Sequence, residues 1–267
     1  MLWDTHMHTN HSGDSSAAAE DMVKAAIVNR LDGICFTDHL DYDYPNEPEL
    51  FLLDIPSYIE ETTKLREKYD GRLQILQGIE IGLQPHLVEK NNGVTAAFPF
   101  DFVIGSSHVV HGMDPYYSEY YEGRNEQAAY LEYFESILEN LQTNADFDVY
   151  GHLDYVVRYG PNKDKFYSYK KFSGVIDEIL RRLIDMGKGL ELNTAGFKAG
   201  LAQPNPSMEI LARYHELGGE IITVGADAHS PEHVAFAFDR VAQILLAAGF
   251  RYFSVFSDRK AKFFPLL

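Results

Sequence analysis

The sequence predicts a distorted TIM-like (β/α)7 barrel, one parallel strand short of the usual eight. Three observations lead there. Short apolar runs alternate along the chain with segments of helical periodicity, which implies parallel strands joined by right-handed crossovers. Nearly every run ends in a histidine, a carboxylate or an amide, and a closed barrel brings all its strand ends to one mouth. Seven runs precede the C-terminal segment, too many functional ends for the single crevice of an open sheet.

The first run, Met1-Leu2-Trp3, leads into Asp4-Thr5-His6-Met7-His8. His6 and His8 alternate, so an extended strand projects both imidazoles from one face; Asp14 follows a short loop later. Helical spacing over residues 17–29 gives the first helix. The second strand, 33–37, ends in Asp38-His39. A helix over 56–69 presents an inward stripe of Tyr58, Ile59, Thr62 and Leu65. The third strand, 73–79, ends in Glu80, and the fourth, 102–107, in His108. After a helix over 125–141, the run 147–151 ends in His152. A helix over 169–186 precedes the run 189–192, which ends in Asn193. The helix over 206–217 precedes 221–226, which ends in Asp227-Ala228-His229, and a last helix spans 232–248. Pro206 and Pro231 suit first helical turns after Asn205 and Ser230, while Gly187 and Gly218 suit positions just past helix ends. Residues 251–256 and 261–267 read as one more strand or hairpin closing the bottom or side of the barrel.

Residues 1–267 form one domain on this reading, ordinary in length for a barrel, with 45% hydrophobic residues to build its core. No stretch approaches the ~20 consecutive apolar residues that cross a bilayer, and the first ten residues lack signal-peptide character. The single cysteine, Cys35, excludes an internal disulfide and sits in an apolar run as a core residue. A cytoplasmic protein with no membrane partner is expected. The net charge of −17 tells against nucleic acid as a partner.

Six histidines (His6, His8, His39, His108, His152, His229) and three carboxylates (Asp14, Glu80, Asp227) therefore fall at strand ends or just beyond. Imidazole with carboxylate favours Zn, Mn or Fe over Ca or Mg. Nine donors exceed one tetrahedral ion and suit two or three divalent ions at the C-terminal ends of the strands, one carboxylate bridging. Arg158 follows the His152 strand end and Lys198 the Asn193 strand end, where cations suit a phosphate group. Two loops, 41–47 and 114–122, add acidic and aromatic residues to the same mouth.

The ordered motifs Asp4-Thr5-His6-Met7-His8-Thr9, Thr37-Asp38-His39, Gly78-Ile79-Glu80, Ser107-His108, Gly151-His152 and Gly225-Ala226-Asp227-Ala228-His229 resemble the polymerase-and-histidinol-phosphatase (PHP) superfamily. The stretches 101–108, 191–196, 206–207 and 249–260 resemble its histidinol-phosphate phosphatases in particular. The resemblance implies a first metal site of His6, His8, Glu80 and Asp227. It implies a second of Glu80, His108 and His152, and a third of His39, His229 and Asp14, where aspartate stands at a position the family also fills with histidine. Asp38 would fix an imidazole from behind. The implied activity is hydrolysis of a small phosphate monoester, L-histidinol phosphate, in histidine biosynthesis, with another small phosphate ester, such as a nucleotide or sugar phosphate, as the alternative. Glu80, Asp227 and Asp14 would carry the metal-assisted chemistry, a hydroxide shared between ions attacking phosphorus in line. Arg158, Lys198 and His111 would contact substrate. Asp14, His111 or a water on the third ion would protonate the leaving group. The acidic and aromatic loops would suit the ammonium and imidazole of such a substrate.

Overall fold

The computed structural model describes residues 2–266, and parallel strand pairing runs almost unbroken around it. Strand β1 (Trp3–Asp4) pairs with β2 (Gly33–Phe36), and β2 pairs with β4 (Gln74–Gly82). A short β3 (His39–Leu40) continues the line of β2 past Thr37-Asp38 and also pairs with β4, placing His39 opposite Glu80. The pairing continues through β5 (Phe102–Ser106), β6 (Val149–Tyr150), β7 (Gly189–Asn193) and β8 (Ile222–Gly225). The ring closes where β8 meets β1: Thr5 N–H donates to Val224 O, Asp227 N–H to His6 O, and His8 N–H to Ala228 O, at 2.8–2.9 Å. Counting β2 and β3 as one, seven strands make the barrel.

Helices α1 (Ala19–Val28), α2 (Ile55–Lys68), α3 (Val88–Ala97), α4 (Glu126–Leu141), α5 (Tyr169–Asp185), α6 (Ala195–Lys198), α7 (Met208–Glu216) and α8 (Val241–Ala247) connect the strands. None is long and apolar enough to cross a membrane. Their buried faces follow helical spacing, as with Ile55, Tyr58, Thr62 and Leu65 of α2. Gly187 and Gly218 take left-handed φ of 68° and 98° just past α5 and α7, as expected of glycines there.

Two helical expectations need correction. The segment 232–248 is helical only over α8. Before it the chain makes two 3₁₀ turns, with Ala235 and Ala237 both at φ 57°. Ala235 N–H is held by Asp4 Oδ2 at 2.9 Å and Val234 O by Asn29 at 3.1 Å, so tertiary hydrogen bonds override local propensity. Pro206 lies before α7, whose N-cap is Ser207, because Asn205 is drawn into a backbone pair with Asn193. Helix α3 was not foreseen; Asn91, Asn92 and Gly93 give it no apolar stripe.

Side chains alternate across each strand. Ile34 and Phe36 pack outward with the main core under the helices, whereas Cys35 points inward with Phe102, Ile104 and Val149. The antiparallel hairpin β9 (Tyr252–Ser257) and β10 (Lys260–Pro265) turns at Asp258-Arg259, both at positive φ, the geometry of a tight two-residue turn. Its Phe256 stacks on Phe102 at 5.2 Å and fills the lower end of the barrel, while Arg259 ties it to Asp146 and Asp148. Phe256→Ala opens a cavity in this floor. The expected cost is about 3–4 kcal/mol, read as a lower denaturant midpoint at unchanged slope.

Candidate metal centre

The inward rows change character along each strand. Phe102 and Ile104 line the lower barrel, and two and four residues further on Ser106 and His108 reach the mouth. Asp4, His6 and His8 make a similar row on the first strand, and Gly78, Glu80 and Gly82 another.

Glu80 stands at the centre, fully buried. Its Oε2 lies 3.2 Å from His6 Nε2, 3.5 Å from His8 Nε2 and 3.0 Å from His39 Nδ1. Its Oε1 lies 2.9 Å from His152 Nε2 and 3.3 Å from His108 Nε2, and accepts from Ser106 Oγ. Asp227 Oδ1 faces His8 Nε2 at 3.4 Å, His229 Nδ1 at 3.6 Å and His6 Nε2 at 3.7 Å. Asp14 Oδ2 is 3.0 Å from His229 Nε2 and 3.7 Å from His39 Nε2. The His8 ring stacks against both His39 and His229. All nine residues expected at the mouth are thus gathered there.

These groups fit divalent metal ions. The buried Glu80 Oε2, His39 Nδ1 and Asp41 Oδ2 have no hydrogen-bond partner, and imidazole nitrogens face one another at 3.1 Å (His6–His8) and 3.5 Å (His108–His152). Imidazole nitrogens and carboxylate oxygens packed this closely in a buried site suit a shared cation that replaces the imidazole protons. Burial lowers the imidazole pKa of His6, His39 and His108, but the carboxylates outweigh it at all three. Glu191, Glu80 and Asp227 hold His6 well above its usual range. Asp41 and Glu80 do so for His108, and Glu80 and Asp14 hold His39 at about 9. His8 moves the other way, pulled down by burial and by His39 and His229.

Several residues that complete the site escaped the sequence reading. Glu191 accepts from His6 Nδ1 at 2.6 Å and from the His152 backbone N–H at 2.8 Å, orienting one imidazole from behind. A Cβ on Gly225 would come within 2.3 Å of His6 Cβ and 2.6 Å of Glu191 Oε1, so glycine makes room for the pair. Asp41 binds His108 Nδ1 at 2.8 Å and lies 3.6 Å from His39, with Gly82 leaving it space. Its spacing, His39-x-Asp41, repeats that of His6-x-His8 and was the signal available. Asp38 reaches an imidazole only through Ser12, which bonds Asp38 and His8 Nδ1.

A cavity of about 350 Å³ opens over the cluster. Arg158 lines it and is itself buried, donating Nη1 to Asp227 at 2.8 Å, Nη2 to Asn193 at 2.8 Å and Nε to Asn205 at 2.7 Å. Of its five N–H groups two remain uncommitted. Tyr44, Asp114, Tyr116 and Tyr117 from the two mouth loops line it as well, and Tyr44 OH donates to Asp114 at 2.6 Å. Lys198 donates to the Asp227 carbonyl at 3.2 Å but does not line the cavity. His111 is removed altogether: its ring sits between Glu132 and Glu139 of α4 and lines a separate cleft, because the 110–113 turn points it outward.

Fold and site together define a metal-dependent enzyme whose chemistry is gathered at a barrel mouth. The chain belongs to the PHP domain family, which it matches over residues 4–195. It is 32% identical over 258 residues to the histidinol-phosphatase of Lactococcus lactis, covering 96% of this chain and 95% of that protein. A Clostridium acetobutylicum protein named "Probable histidinol-phosphatase" is 33% identical over 238 residues, with 89% of this chain and 90% of the relative covered. The crystal structure of the L. lactis histidinol phosphate phosphatase complexed with zinc, L-histidinol and phosphate superposes with a TM-score of 0.91 at 31% identity, covering 98% of each chain.

Two outcomes follow for the metal site. Glu191→Gln keeps the shape but removes the carboxylate behind His6, and metal affinity measured by chelator competition should fall about 10- to 100-fold. Ligation requires neutral imidazoles, whereas the free site holds His39 protonated up to about 9. Metal uptake at pH 7 should therefore release protons, and affinity should rise with pH until that range is passed. Calorimetry in buffers of different ionisation enthalpy reads both effects.

Proposed function

We propose that this protein is a phosphomonoesterase that hydrolyses L-histidinol phosphate to L-histidinol and phosphate, a step of histidine biosynthesis, using two or three divalent metal ions. The observation that carries the reading is one cavity bounded by the Glu80-centred cluster, Arg158 and the Tyr44–Asp114 wall. It lies in a chain alike along 98% of its length to an enzyme crystallised with zinc, histidinol and phosphate. The cavity also has the size of small-molecule sites, ~300–1,000 Å³.

His6, His8, Glu80 and Asp227 would hold one ion. Glu80, with its second oxygen, His108 and His152 would hold another. His39, His229 and Asp14 would hold a third, with Asp41 orienting His108 and His39. Ions bound there supply the Lewis acidity that makes a nucleophile of water near neutral pH and neutralises charge on phosphate. Arg158 binds the phosphate oxygens with its two free N–H groups, and Asp227 and Asn193 keep its fork beside the cluster. Asp114 accepts the substrate ammonium and the tyrosines pack on its imidazole, so the amino-alcohol end rests on the outer wall. Burial raises the Asp14 pKa, but His39 and His229 outweigh it and keep this carboxyl well below its ordinary range. It is suited to holding a cation and not to giving a proton. With His111 outside the cavity as well, the leaving alkoxide takes its proton from water.

Steady-state rates on L-histidinol phosphate and on a panel of nucleoside, sugar and aryl monophosphates test the reading. Histidinol phosphate should lead by about 100-fold or more in kcat/KM. Comparable rates across the panel would sink it. Glu80→Gln and His8→Ala should each lose about 1,000-fold or more, about 4 kcal/mol of barrier, on every ester. Asp114→Asn should cost about 10-fold on histidinol phosphate and little on esters without an ammonium.

A further inference from the structure

Asp154 has had no part in the site as described so far. It follows β6, directly precedes the 3₁₀ turn Tyr155–Arg158 that carries the arginine, and is buried. Its Oδ1 accepts from Asn205 Nδ2 at 2.5 Å. Its Oδ2 accepts from the Ser207 backbone N–H at 2.9 Å and the Tyr167 hydroxyl at 3.1 Å. Asn205 is itself pinned, exchanging backbone hydrogen bonds of 2.8 and 2.9 Å with Asn193, and its Oδ1 accepts from Arg158 Nε at 2.7 Å. A carboxylate only accepts and a guanidinium only donates. An amide placed between them satisfies both in one orientation alone, Nδ2 toward Asp154 and Oδ1 toward Arg158.

We propose that Asp154 is a positioning residue for phosphate binding, fixing the plane of the Arg158 guanidinium through the Asn205 amide. This rests on the phosphate role given to Arg158 above. Asp227 and Asn193 hold the Nη ends of the fork, and Asn205 holds the Nε side. With three sides held, the guanidinium cannot turn about its long axis, and its remaining N–H groups keep the direction that bidentate phosphate contact needs. Without the carboxylate the amide loses its reason to face one way, and its NH₂ can meet Nε–H, donor against donor. Neither Asp154 nor Asn205 lines the cavity, so their effect on substrate passes through the arginine.

The test uses the metal-loaded enzyme with Asp154→Asn and Asn205→Ala, each alone and in an Arg158→Ala background. Readouts are kcat/KM on L-histidinol phosphate, competitive inhibition by inorganic phosphate, and bound metal per chain. Each single variant should lower kcat/KM about 10- to 100-fold and weaken phosphate inhibition by a similar factor, with metal content unchanged. In the Arg158→Ala background neither should add more than about twofold. A loss that repeats in full in that background, or phosphate inhibition that stays at the parent value, overturns the proposal. Asn205→Ala leaves the Ser207 and Tyr167 bonds to Asp154 in place, so it reads out the relay even if Asp154→Asn does not fold. If Arg158→Ala alone leaves both kinetic readouts unchanged, the phosphate role of the arginine falls and the relay with it. That failure is distinct from one in which Arg158→Ala is defective and the Asp154 and Asn205 variants are not.

Discussion

The structure turns on a buried carboxylate that faces five imidazoles. Glu80 is removed from water, and burial alone would raise its pKa; His6, His108 and His39 bring it well below the carboxylate range instead. Such a group is tolerable only if cations or donors surround it on every side. That requirement explains why so many strands end in ligating residues: each strand end contributes one answer to the same uncompensated charge. Ser106 satisfies part of one oxygen, and the other oxygen is left for ions. The barrel supplies the rigidity that keeps like groups in contact, since its strands are locked by continuous parallel pairing.

Along two of the inward rows the same gradient appears, from packing residues below to coordinating residues above. Period-two alternation makes this cheap to encode, because a strand needs only its alternate positions to change type. Cys35, Thr37, His39 and Asp41 trace it on the second strand across the break between β2 and β3, as Phe102, Ile104, Ser106 and His108 do on β5 and just beyond it. Outward positions such as Ile34, Phe36 and Val103 are apolar and serve the helices.

This gradient is why the strand count, their parallel sense and the nine residues of the cluster were legible in the sequence. Each apolar run ended in a residue that no core would choose. What stayed hidden depends on geometry between strands. Glu191 lies inside an apolar run, and only barrel closure reveals that it backs His6. Asp41 was read as loop because β3 is two residues long. The chain before α8 carries a helical pattern, yet its backbone groups are claimed by Asp4 and Asn29, more than 200 residues away along the chain. His111 sits close to His108 in sequence, but one tight turn at Val110–Met113 sends it to the outside. Turn chemistry and distant hydrogen bonds are the features that a periodicity cannot express.

The filled floor of the barrel has a consequence for traffic. With Phe256, Phe102 and their neighbours closing the lower end, whatever enters must leave by the same doorway. Reactant and products alike pass through the one cavity that Arg158, Tyr44 and Asp114 line.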